Sequence, residues 1–159
     1  MSIDQIAQVL RKCEVFSGLS DKELSSIAEL CEIEKFNAGE LIYSQGSIGT
    51  KLYILSEGQV YLERTMEIGD KRKANVPVFI QRESASRRLM GCWSELIGEQ
   101  HMQMCTARSC RPSTVVSIPC SKLREIVSED LALKVKILEK LVLFLRDRID
   151  SSYETMETL

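Results

Sequence analysis

Residues 37–60 read NAGELIYSQGSIGTKLYILSEGQV. Three short apolar runs, Leu41–Tyr43, Leu52–Leu55 and Val60–Leu62, are separated by Gly39, Gly46, Gly49 and Gly58. Strand-forming runs of this length, punctuated by glycines free to take positive φ, predict a tightly wound antiparallel barrel or sandwich. Strand signals continue from Ile33 to Ile118. Before them the pattern is helical. Ser2 with Gln5 and Ser20 with Glu23 are capping-box pairs. Each opens a short apolar stripe, first Ile3, Ile6, Ala7 and Leu10, then Leu24, Ile27, Ala28 and Cys31.

A chain of 159 residues accommodates one domain. Its 44% hydrophobic and 28% charged residues are those of an ordinary globular protein. With a formal net charge of −2 and a pI near 5.6, it carries no overall basic field to draw it onto nucleic acid. The opening MSIDQIAQVLRK lacks a basic n-region, and no apolar run reaches spanning length. Neither a signal peptide nor a membrane anchor is expected, and the reading is cytoplasmic. The six cysteines (Cys13, Cys31, Cys92, Cys105, Cys110, Cys120) form no C-x-x-C pair. They read as reduced thiols acting as small hydrophobes, with a redox switch as the alternative. No nucleophile–base pair or metal-ligand cluster is present, so no enzymatic activity is expected.

Gly69-Asp70 with Lys71-Arg72-Lys73-Ala74-Asn75 reads as the tip of a long hairpin, and its return strand is expected over Val76 to Gln81. Pro77 fits only at a strand start or edge. The surrounding Lys71, Arg72, Lys73, Arg82, Arg87 and Arg88 are either solvated charges that discourage edge pairing or a docking patch for an acidic partner. Beyond Pro119 the chain is helical again. Ser128 is the expected N-cap of the last helix, Glu129 and Asp130 sit in its first turn, and Arg146 and Arg148 lie near its other end. Val135, Leu138, Val142, Leu145, Ile149 and Met156 fall on heptad a and d positions, with Ser152 as the one polar interruption. Ile137, Leu141 and Phe144 form a second stripe. A helix packed on its own domain needs one stripe, so the heptad seam predicts a parallel homodimer. The alternative is that the seam folds back onto the N-terminal helices of the same chain.

The glycine-punctuated strands of 37–60 resemble the first half of the cyclic nucleotide-binding domain. That β-roll is shared by catabolite activator protein, protein kinase A regulatory subunits and cyclic nucleotide-gated channels. The resemblance implies a mainly β fold with flanking helices, a double-stranded β-helix of jelly-roll type. Residues 1–159 would form one domain, with N-terminal helices over 1–32, the β-roll over 33–119 and C-terminal helices over 120–159. It also implies a stand-alone regulatory module for signal transduction, in which a small ligand re-seats the C-terminal helices. Transcription regulators of the family add a helix-turn-helix after the long helix. This chain ends at Leu159, so direct DNA binding by it alone is not expected.

In that family a cassette of the form F-G-E-L-A-L, a short helix and R-x-A-T grip the cyclic phosphate and ribose. Here the segment runs Gly91-Cys92-Trp93-Ser94-Glu95-Leu96-Ile97-Gly98-Glu99. Placing Trp93, Ser94, Glu95 and Leu96 on F-G-E-L keeps the acid as Glu95; a competing register uses Ile97-Gly98-Glu99. Downstream, Gln103, Met104, Cys105 and Thr106 complete the expected pocket, with Gln103 at the position of the phosphate-binding arginine. A glutamine brings no charge. Charge-assisted bonds contribute about 1.5–3 kcal/mol against about 1 for neutral ones, so cAMP or cGMP is expected to bind weakly at best. Ser94 also places a side chain where the backbone would approach the ligand. The rivals are a ligand-free dimerisation scaffold and a pocket repurposed for another small ligand. His101, the one histidine, could pair with a cysteine on haem as in gas-sensing relatives, although no spacing rule supports it.

Overall fold

The computed structural model describes residues 1–68, 72–82 and 88–158, with backbone pairing alone for 68 and 72–82. Helices α1 (Ile3–Arg11) and α2 (Asp21–Ala28) both start in complete capping boxes. In α2 the Ser20 hydroxyl accepts from Glu23 N–H at 3.2 Å, and Glu23 Oε1 accepts from Ser20 N–H at 2.9 Å. Two of the otherwise orphaned N–H groups are thereby satisfied. The apolar stripes then bury Ile6, Ala7 and Leu10 from α1 and Leu24, Ile27 and Ala28 from α2.

The roll consists of β1 (Glu32–Phe36), β2 (Leu41–Tyr43), β3 (Ile48–Gly49), β4 (Lys51–Ile68), β5 (Arg72–Arg82), β6 (Leu89–Gly91), β7 (His101–Met102) and β8 (Thr106–Pro119). Every pairing is antiparallel. The spine is β4 against β8, from Lys51↔Pro119 to Glu63↔Thr106. Strands β1 and β2 lie on β8, strands β5 and β6 lie on β4, and β3 with β7 makes a small separate sheet. Register shifts between Leu55 and Val60 bend the spine. Gly58 lies within them at φ +103°, where an added Cβ would sit 2.7 Å from the Ser113 Cα. Leu52, Ile54, Leu55 and Val60 of β4 and Val115, Val116 and Ile118 of β8 are fully buried. The architecture is the mainly β domain with flanking helices that the resemblance implies.

Three local expectations are corrected. The return strand β5 begins at Arg72, not Val76: residues 72–75 pair with Ile68, Glu67, Met66 and Thr65. Residues 69–71 and 83–87 lie outside the described ones, and with them Lys71 and Arg87 of the expected basic patch. Ser128 caps no helix. It lies within α3 (Cys120–Glu129), where its hydroxyl donates to Arg124 O at 2.7 Å. Asp130 instead leaves helical geometry and accepts from Leu133 N–H at 3.1 Å, capping α4 (Leu131–Glu157). Because α4 runs on to Glu157, Arg146 and Arg148 are interior to it rather than terminal.

Helix α4 has two distinct faces. Leu133, Ile137, Leu141 and Phe144 are buried against the roll and the N-terminal helices. A Lys136–Glu23 ion pair at 2.9 Å ties α4 to α2. On the heptad seam Val135, Val142, Ile149 and Met156 are exposed, whereas Leu138 and Leu145 are partly buried against the core.

Candidate ligand-binding site

A cavity of about 260 Å³ opens between the roll and α4. Its floor is Tyr43 of β2, Leu62 and Arg64 of β4, and Leu89, Met90 and Gly91 of β6. Trp93, His101, Gln103, Met104 and Cys105 form one wall, and Phe144, Leu145, Arg148 and Ser152 of α4 form the other. Gly91 makes the floor feasible. Its φ is +103°, and an added Cβ would sit 2.5 Å from the Lys51 carbonyl oxygen.

The expected pocket residues divide into two groups. Trp93, Gln103, Met104 and Cys105 line the cavity; Ser94, Glu95, Leu96 and Thr106 do not. A 3-10 turn over Ser94–Ile97 carries the first three elsewhere, and Thr106 opens β8. This turn falls on the first of the two cassette registers, and Gly98 closes it with φ +83°. Glu95 faces α3, where its carboxylate holds Arg124 at 2.6 Å and its carbonyl accepts from the same guanidinium at 3.2 Å. It is therefore not aimed at a ribose hydroxyl in the cavity. Leu96 is a core side chain, and Thr106 Oγ1 accepts from Gln45 N–H at 3.0 Å.

Ser94 is engaged with His101. Its Oγ lies 2.9 Å from His101 Nδ1 and 3.3 Å from Glu99 O. Both contacts are satisfied if Ser94 donates to Glu99 and the Nδ1–H donates to Ser94, which assigns the tautomer. Burial lowers the His101 pKa, so the ring is neutral at pH 7. It packs edge-on to Trp93 with centroids 4.9 Å apart. His101 thus stands in the wall of the cavity with Nδ1 bonded to Ser94.

Gln103 is 4% exposed. Its backbone is held on both sides, by Ser47 O and by Gly46 N–H, each at 2.8 Å. Its side chain lies against Gly49, where an added Cβ would sit 2.6 Å from Gln103 Nε2. The amide makes no hydrogen bond among the described residues and lines the cavity.

Among the described residues the lining includes two arginines that the motif reading did not include. Arg64 Nη1 donates to Met104 O at 2.6 Å. Arg148 Nη2 donates to Leu89 O at 2.7 Å, and its guanidinium carbon lies 4.8 Å from the Phe144 ring centroid. Burial pushes the Cys105 thiol pKa up, and the charges of Arg64 and Arg148 oppose that rise without cancelling it. Burial likewise raises Tyr43. None of the described lining residues is acidic. The pattern that betrays Arg148 is present in the sequence: it continues the buried series Ile137, Leu141, Phe144 at helical spacing. Arg64 continues Val60 and Leu62 in the same way along β4.

Among the described residues no group of His, Cys, Asp or Glu could hold a metal ion, and no helix is long and apolar enough to cross a membrane. The cyclic nucleotide-binding domain family matches this chain over residues 33–130. A cGMP-dependent protein kinase, egl-4, of Caenorhabditis briggsae is 26% identical over 86 residues, 54% of this chain but 11% of the kinase. A cyclic nucleotide-binding domain from Methylobacillus flagellatus superposes with a TM-score of 0.74 at 15% identity, covering 96% of this chain and 80% of that one. A provisionally assigned cyclic nucleotide-binding protein from Geobacter metallireducens gives 0.71 at 25% identity, covering 94% and 98%.

Proposed function

The chain belongs to the cyclic nucleotide-binding domain family, and on that premise we propose that it is a regulatory sensor in which α4 reports occupancy of the roll. One observation carries the reading: Phe144, Leu145, Arg148 and Ser152 of α4 form a wall of the cavity. A ligand there touches the helix directly. It shifts the seating of α4 to the extent that it binds one seating better than another.

The output surface is the exposed side of the same helix. Val135, Val142 and Ile149 stand 53%, 66% and 54% exposed. Together with Leu138 and Leu145 they form a seam suited to a parallel homodimer, with β-branched residues at a and leucine at d. Re-seating α4 would then alter the dimer.

Cyclic nucleotides are weak ligands in this reading. Ser94 and Glu95 are occupied by His101 and Arg124, and Gln103 supplies no charge where the family uses arginine. The loss of one charge-assisted phosphate contact weakens binding about tenfold or more.

The test is titration calorimetry with cAMP and cGMP, combined with amide hydrogen exchange across α4. Dissociation constants no tighter than millimolar are expected for both nucleotides, and a micromolar value defeats that expectation. A ligand that occupies the cavity yet leaves exchange over residues 141–152 unchanged rejects the sensor reading and favours a scaffold.

A further inference from the structure

Gln103 is pinned by its backbone and unpartnered at its side chain. Its N–H donates to Ser47 O and its carbonyl accepts from Gly46 N–H, each at 2.8 Å, just after β7. The side chain lines the cavity, the residue is 4% exposed, and the amide makes no hydrogen bond among the described residues. Gly49 of β3 leaves room for it. A Cβ there would come within 2.6 Å of both Gln103 Nε2 and Cys92 Cβ, so the amide is packed against β3 on one side and borders the cavity on another. Buried amides almost always have partners, and one left without them costs stability until a matching group meets it. The rest of the wall sets the charge such a group would carry. Arg148 is engaged by Leu89 O at 2.7 Å and by the Phe144 ring, and Arg64 is an exposed side chain that donates to Met104 O. Burial keeps His101 and Cys105 neutral, lowering the one pKa and raising the other. Tyr43, Leu62, Met90, Trp93 and Phe144 make most of the remaining wall apolar or aromatic. An ionised group entering there would shed its hydration against those side chains.

Resting on the reading of this cavity as a ligand site, we propose that its ligand is a compact, uncharged aromatic carboxamide whose amide edge pairs with that of Gln103. The Gln103 carbonyl accepts from the ligand's N–H, and the Gln103 NH₂ donates to the ligand's carbonyl. A carboxylate of the same outline has no donor for the first bond, and a ketone makes only the second. The ring then lies among Trp93, Tyr43 and Phe144, where aromatic pairs add to simple burial. The size fits a small molecule, because 260 Å³ lies below the ~300–1,000 Å³ of pockets for drug-sized ligands. Phe144 belongs to α4, so a ring seated there touches the reporting helix.

Trp93 is the one tryptophan of the chain and lines the cavity, so its indole N–H gives a single NMR resonance that reports filling. The probes are benzamide, benzoate and acetophenone, which share one outline and differ in charge and donor. Benzamide is expected to give a saturable shift with a dissociation constant of about 0.1–10 mM, the range for a ligand of about nine non-hydrogen atoms. Benzoate should bind at least tenfold more weakly and acetophenone severalfold more weakly. Gln103→Leu should reduce benzamide to the level of acetophenone, and Gln103→Arg should turn the preference towards benzoate. The wild-type series decides the matter even where a variant fails to fold. Benzoate or acetophenone binding as well as benzamide, a benzamide preference that survives either variant, or no saturable shift by about 10 mM overturns the proposal. Hydrogen exchange over residues 141–152 keeps this outcome separate from the sensor reading. Benzamide-selective binding with unchanged exchange upholds the ligand class and defeats the sensor, whereas equal binding of the three probes with altered exchange does the reverse.

Discussion

Ile137→Ala and Val142→Asp should behave as opposites, although the two residues are five apart on one helix. At about 100° per residue they stand about 140° apart around the axis. Ile137 is 1% exposed in the main core, and Val142 is 66% exposed on the heptad seam. Truncating a buried isoleucine to alanine costs about 2–5 kcal/mol through lost burial and the cavity left behind. In a domain of this size each kcal/mol moves Tm by about 2–4 °C, so a fall of roughly 6–12 °C is expected for a mid-range loss of about 3 kcal/mol. Valine and aspartate have similar helix propensities, and exposed substitutions usually stay within about 0.5 kcal/mol. Val142→Asp should therefore leave the protomer's stability almost unchanged while placing like charges across a dimer seam. Leu138 and Leu145 are poorer choices, because both lean on the core and Leu145 also lines the cavity. Urea unfolding at several protein concentrations, with sedimentation velocity, separates the terms, since dimer-linked stability depends on concentration. If Val142→Asp at the lowest concentration costs as much as Ile137→Ala, the assignment of the two faces of α4 is wrong. If the wild type sediments as a monomer at high micromolar concentration, the seam has no homodimeric partner.

Gly91→Ala should destabilise by about 2 kcal/mol or more, because φ +103° is strained for any side chain and the new Cβ meets backbone at 2.5 Å; a loss below about 0.5 kcal/mol in urea would contradict that geometry. Burial raises the Glu14 pKa despite the Arg88 N–H bond at 3.1 Å, and its Oε1 is buried without a hydrogen bond. The stability from its protonated form is fully present below the ordinary glutamate value of about 4.3 and is lost as pH rises through the higher folded-state pKa. Glu14→Gln should remove that fall, so the variant gains on the wild type towards neutral pH; an unchanged pH profile, with the variant less stable at pH 7, would show the carboxylate to be compensated.

Much of the fold was legible because its signals are local. A capping box is an exchange between residues three apart, so Ser2 with Gln5 and Ser20 with Glu23 announce their helices without reference to the rest of the chain. The glycines between short apolar runs mark the strand breaks in the same way. Where two local signals compete, the sequence alone does not choose. Ser128 and Asp130 are both good N-caps, and Asp130 prevails because α3 extends its buried series Leu123, Val127 far enough to hold Ser128 inside a helix. The start of β5 was hidden for a related reason. Lys73, Ala74 and Asn75 carry little strand propensity, and their pairing is imposed by the long partner strand β4.

The site was legible only in part, because a motif specifies order along the chain whereas a cavity is assembled across it. Trp93, Gln103 and Cys105 reach the lining from the cassette region, but the 3-10 turn over Ser94–Ile97 rotates Glu95 towards Arg124. A carboxylate can keep its place in a pattern and still lose its target. The converse holds for Arg148 and Arg64, which belong to no motif and yet face the cavity. What marks them is an interruption of amphipathic spacing, one at the helical period and one at the strand period. Such an interruption is readable only once it is known which of two faces is buried, and α4 carries two apolar stripes. The stripe Ile137, Leu141, Phe144 turns inward, and Arg148 comes with it. Had the heptad seam turned inward instead, Arg148 would have been a solvated surface charge. The seating of one helix therefore sets both which stripe is left exposed and which residues of α4 line the cavity.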